Sequence, residues 1–76
     1  MQNVKLTVAI DPIHFGSFDS TEALEGFTFN LSKNIEKTFN VKVDYDTIPN
    51  GNTYHLSCDD RNLEMYIAEF VESNWK

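Results

Sequence analysis

Val4, Leu6, Val8 and Ile10 alternate with Lys5, Thr7 and Ala9. A period of two puts one face of a strand in a core and leaves the other in water. Pro12 has no N–H to give to a ladder, so this strand is expected to stop near Asp11. Residues 12–18 form a loop turning at Gly16, and their apolar Ile13, Phe15 and Phe18 predict that it packs down. Asp19, with Glu22 three positions on, has the form of a capping box and opens a helix. Leu24, Phe27, Leu31, Ile35 and Phe39 then follow at spacings of three and four, one stripe of about four turns. Gly26 costs roughly 1 kcal/mol relative to alanine inside a helix. It points either to close packing at that spot or to a later helix start. Phe29 lies off the stripe without a role. Lys33 and Lys37 suit the negative C-terminal end, and Asn40 is placed to end the helix in the left-handed conformation.

Val41, Val43 and Tyr45 alternate with Lys42, Asp44 and Asp46, a second strand. Ile48-Pro49-Asn50-Gly51-Asn52 is a turn signal, because Pro and Gly each fix backbone angles. Tyr54, Leu56 and Cys58 alternate with Thr53, His55 and Ser57, a third strand, expected to form an antiparallel hairpin with the second. In the last stretch, 59–76, Asp59 or Asp60 can cap a helix whose Leu63, Tyr66, Ile67, Phe70 and Val71 share one face. Asp60, Glu64 and Glu72 make a row of period four on the other side, flanked by Glu69, and only Lys76 lies four residues beyond a glutamate in the pairing orientation. The order β-α-β-β-α, with one apolar face per element, predicts a single α+β domain. It is a two-layer sandwich, a three-stranded mixed sheet with two helices on one face. The other sheet face would carry Lys5, Thr7, Lys42, Asp44, Asp46, Thr53, His55 and Ser57.

Composition sharpens this picture. With 41% hydrophobic residues and ten aromatics, the 76-residue chain has material for a core despite its net charge of −6. One cysteine excludes an internal disulfide and suits a reducing cytosol. No signal peptide and no run long enough to span a membrane is visible, so the expectation is a cytoplasmic protein without membrane contact. On the same grounds the glycosylation sequon at Asn30-Leu31-Ser32 is a chance match. The charge is uneven. Residues 1–42 hold five acids and four bases, whereas residues 43–76 hold seven acids against Arg61 and Lys76. Phosphates repel such a chain, so direct nucleic-acid binding is disfavoured and a basic partner protein is the complementary expectation. Acidic surface also serves solubility alone.

Catalytic signatures are lacking. His14 and His55 have no cysteine or carboxylate at ligand spacing, which argues against a metal site. His55 and Cys58, three apart on a strand, point to opposite faces and make no nucleophile–base pair. Asp44 with Asp46 and Asp59 with Asp60 are paired carboxylates, but acid–base work needs a cleft that shifts one of them. Solvated charge is the simpler reading, and a non-enzymatic protein without cofactors is expected. Trp75 either covers the end of the core or anchors a partner.

The whole chain resembles the DinI-like family, small acidic modulators of the bacterial DNA-damage response. Val4-Lys5-Leu6-Thr7-Val8-Ala9-Ile10 looks like the family's first strand. Leu24 to Phe39, centred on Leu31-Ser32-Lys33-Asn34-Ile35, is similar to its first helix, and Val41-Lys42-Val43-Asp44-Tyr45 to its second strand. Glu69 and Val71-Glu72-Ser73 fall where the family carries acidic residues on its last helix. The resemblance implies binding to the RecA filament through that helix, imitating the charge of DNA. The expected contact residues are Asp60, Glu64, Glu69, Glu72 and Trp75. A related scaffold could instead serve a phage or mobile element as a DNA-mimic inhibitor of a restriction or CRISPR nuclease. A monomer or weak dimer is expected, the dimer formed through an open sheet edge or the polar sheet face.

Overall fold

A computed structural model describes residues 2–11, 13 and 21–75, the side chain of Thr21 excepted. The expected cap at Asp19, the loop residues His14, Phe15, Gly16 and Phe18, and Lys76 lie outside the described residues. The elements are β1 (Asn3–Ile10), α1 (Thr21–Phe39), β2 (Lys42–Ile48), β3 (Asn52–Cys58) and α2 (Arg61–Ser73). They form the expected α+β arrangement, a three-stranded mixed sheet with two helices.

The sheet order corrects one expectation. β2 and β3 do not pair as a hairpin; the order is β2-β1-β3, with β1 parallel to β2 and antiparallel to β3. The cause lies in β1. Its Val4, Leu6, Val8 and Ile10 are at most 1% exposed, and Ala9 on its other face is buried too. The most buried of the three strands fills the middle of the sheet. The link from Ile48, level with Ala9, to Asn52, level with Ile10, must then cross two strand spacings. That is roughly 10 Å, within the reach of four residues. The Asp11 N–H donates to the Gly51 carbonyl at 2.9 Å, so the link passes over the end of β1. Gly51 takes φ 93, which suits glycine. A turn signal marks where the chain reverses, not which strand fills the gap.

Helix α1 packs Leu24, Leu31 and Ile35 into the core, with Phe27 and Phe39 half-buried at the margins. Thr28 and Ser32 are buried beside them. Their hydroxyls donate to the carbonyls of Leu24 and Phe29, each at 2.8 Å, so burial leaves no polar atom unpaired. Neither reading of Gly26 holds. The helix already starts at Thr21, and a Cβ at Gly26 would meet nothing within 4 Å. Asn40 ends the helix with φ 56, as expected.

Val41 is buried ahead of β2, and Ile48 continues that strand instead of opening the turn. Val4, Leu6, Val8, Ile10, Val43, Ile67 and Val71 meet the α1 stripe in one core. On the opposite sheet face Lys5, Lys42, Asp44, Asp46, Thr53, His55 and Ser57 are exposed and Thr7 is half-buried. Two apolar expectations fail. Ile13 is 69% exposed rather than packed down, and Tyr66 is 56% exposed rather than part of the α2 core face.

Candidate functional site

The residues expected to meet a partner lie on or just beyond α2. Of the two possible caps, Asp60 serves. It has extended backbone, and its Oδ1 accepts the N–H groups of Asn62 and Leu63 at 3.0 and 3.2 Å. Its carboxylate therefore satisfies the helix end as well as adding charge. Ile67 and Val71 are buried, and Leu63 and Phe70 pack beside them. The Phe70 ring meets Phe39 of α1 edge-on at 5.7 Å, which fixes the flank of α2 that faces α1.

Glu64 is half-buried, while Glu69 and Glu72 are exposed. Helix α2 packs against β3. Burial pushes the Tyr54 hydroxyl above its ordinary range, and the Glu72 charge adds to that push. The period-four row of Glu64, Ala68 and Glu72 thus runs along the flank of α2 away from Phe39. Among the described residues the ion pair present is Lys33–Glu36, at 3.4 Å on α1, and none of the α2 glutamates has a cation partner. The five expected residues do not form one flat patch. Asp60 is engaged at the helix start, Glu64 and Glu72 line one flank, and Glu69 faces solvent.

Trp75 covers the end of the core. Its Nε1 donates to Asn52 Oδ1 at 2.9 Å, and its ring lies 5.7 Å from Phe27 and 5.3 Å from Tyr54. The side chain is half-buried.

Two exposed features escaped the sequence reading. Met65 and Tyr66 are 53% and 56% exposed, and Glu69 follows them one turn later on α2. Met65 stands off the apolar stripe, which was the available signal. Tyr66 keeps the stripe spacing, which concealed it. On the other side of the molecule Phe29 meets Tyr45 at 6.3 Å, and Lys33 Nζ stands 5.5 Å from the Phe29 ring centre. No local pattern links position 29 to position 45.

His55 is exposed on the polar sheet face, and Cys58, a free thiol, is half-buried on the helix side. No helix among the described residues is long and apolar enough to cross a membrane. Among the described residues, one open recess lies at the end of α1 between Lys33 and Lys42 and another around Asn3, Asp44 and Asp59. No protein-family model, curated protein or solved structure matches the chain.

Proposed function

We propose that the protein is a non-enzymatic binding module. Its acidic α2 docks on the basic, nucleic-acid-binding surface of a partner protein. The observation that carries this reading is the set of α2 glutamates without a cation partner among the described residues, beside the exposed Met65 and Tyr66. Such charge speeds encounter with a positive groove and sets the orientation. Apolar side chains then supply much of the hold. The resemblance to the DinI-like family makes the RecA filament the first partner to test, with α2 occupying positive surface otherwise met by phosphates.

The test is binding to RecA filaments on single-stranded DNA, at low and raised salt, with the native chain and with Glu69→Lys/Glu72→Lys. The expected outcome is binding that weakens with salt and is lost in the double variant, whose circular dichroism stays native. Unchanged affinity in the double variant would sink the acidic-face reading. An absence of binding at both salts would move the search to another basic partner, a restriction or CRISPR nuclease first.

A further inference from the structure

β3 is an edge strand, and among the described residues no strand pairs with its outer edge. Asn52–Cys58 contains no Asp, Glu, Lys, Arg, Pro or Gly. Its pairing with β1 runs without a bulge from Ile10 opposite Asn52 to Val4 opposite Cys58. Natural sheets commonly blunt such edges with charge, proline or a bulge. The other edge is treated differently. β2 carries Lys42, Asp44 and Asp46, and Glu36 takes the Val43 N–H.

The hydrogen-bond parity of β3 follows from one contact. Asp11 and Gly51 continue the β1–β3 register, and the Asp11 N–H donates to the Gly51 carbonyl. Bonded pairs alternate in an antiparallel ladder. Thr53, His55 and Ser57 therefore bond to β1, and the N–H and C=O of Tyr54 and Leu56 point outward. Among the described residues no hydrogen bond from outside the sheet reaches those groups.

Beside this edge runs the Glu64–Glu72 flank of α2, located by the packing of α2 against β3 and by Phe70 facing α1. We infer that the β3 edge takes an extended, basic segment of a partner protein as a fourth strand. Backbone groups of Tyr54 and Leu56 bond to it, and its alternate lysine or arginine side chains meet the acidic flank. A second copy fits less well, because antiparallel pairing of two β3 edges would bring one acidic flank against another. The inference rests on the acidic-face reading above and specifies how the basic partner is held.

The test uses the full chain, isotope-labelled, with a capped seven-residue peptide of alternating lysine and threonine. Amide exchange at Tyr54 and Leu56 should slow at least about tenfold on peptide addition. Exchange at His55 and Ser57, already bonded to β1, should stay unchanged. The same peptide N-methylated at alternate residues should not bind. Glu64→Gln/Glu72→Gln should weaken binding about fivefold at low salt. Peptide that binds while Tyr54 and Leu56 exchange as before would overturn the β3 assignment and leave the acidic-face reading intact. No binding of the unmodified peptide would also overturn it. So would concentration-dependent protection of β3 without peptide, which would assign the edge to a second copy. The acidic-face reading fails separately, through unchanged filament affinity in Glu69→Lys/Glu72→Lys.

Discussion

Glu36 Oε2 accepts the backbone N–H of Val43 at 2.9 Å, so the last turns of α1 hold the start of β2 in place. Glu36 Oε1 lies 3.4 Å from Lys33 Nζ. The Val43 bond lowers the Glu36 pKa below the ordinary carboxylate value. The hydrogen bond and charge of Lys33 and the charge of Lys42 reinforce this, and partial desolvation opposes it. A carboxylate with a depressed folded-state pKa contributes stability that is present above its unfolded value and lost as pH falls through the folded one. Urea midpoints of the native chain should therefore drop as pH falls below the ordinary glutamate value of about 4.3. Glu36→Gln should lower the neutral-pH midpoint and flatten that drop. A variant whose pH profile parallels the native one would show that the Val43 contact adds nothing in solution.

Trp75 joins the end of the α2 region to the start of β3 by its bond to Asn52 and its ring contacts with Phe27 and Tyr54. The two contributions separate by mutation. Trp75→Phe deletes the N–H donor and should cost about 1 kcal/mol. Trp75→Ala also removes the ring and should cost roughly 2–3 kcal/mol, below the 3–5 kcal/mol typical of a fully buried aromatic. Denaturant unfolding of both variants checks this. Equal losses would mean that the ring contacts carry no net stability.

Much of this architecture was legible in local patterns. Alternation at Val4–Ile10 and the stripe from Leu24 to Ile35 identify elements because each buries one face. The cap at Asp60 and the left-handed Asn40 follow from short side chains that serve orphan backbone groups or tolerate positive φ. Strand order was not legible, since the same Pro-Asn-Gly link serves a hairpin or a step over β1. Thr28 and Ser32 were missed because their hydroxyls are satisfied within the helix, which a polar/apolar pattern does not register. At the candidate site the acidic row was visible. The exposure of Tyr66 and the lateral flank of Glu64 and Glu72 needed the position of α2 against β3.

Gly26 offers a gain rather than a loss. It lies inside α1, exposed, with open space where a Cβ would stand. Alanine there restricts the unfolded chain and fits the helix without a clash. Gly26→Ala should raise stability by about 0.5–1 kcal/mol, read as a higher denaturation midpoint with unchanged slope. A destabilised variant would show that the site is crowded in solution.

Tyr66 and Glu69 should divide the work of binding between them. Both lie on the exposed side of α2. Tyr66 offers a rigid aromatic surface suited to a pocket, and truncating it should raise the dissociation rate about tenfold. Folding stability should change by less than about 0.5 kcal/mol, because a side chain 56% exposed supports little of the core. Glu69→Lys acts earlier. It weakens the field that draws the basic partner in, so it should slow association and reduce its salt dependence, with a smaller effect on dissociation. Stopped-flow or surface-based kinetics on the two single variants distinguishes these effects. If Tyr66→Ala instead slowed association and left dissociation unchanged, the aromatic side chain would not be held in a partner pocket, and the hold would have to come from elsewhere, the β3 edge first.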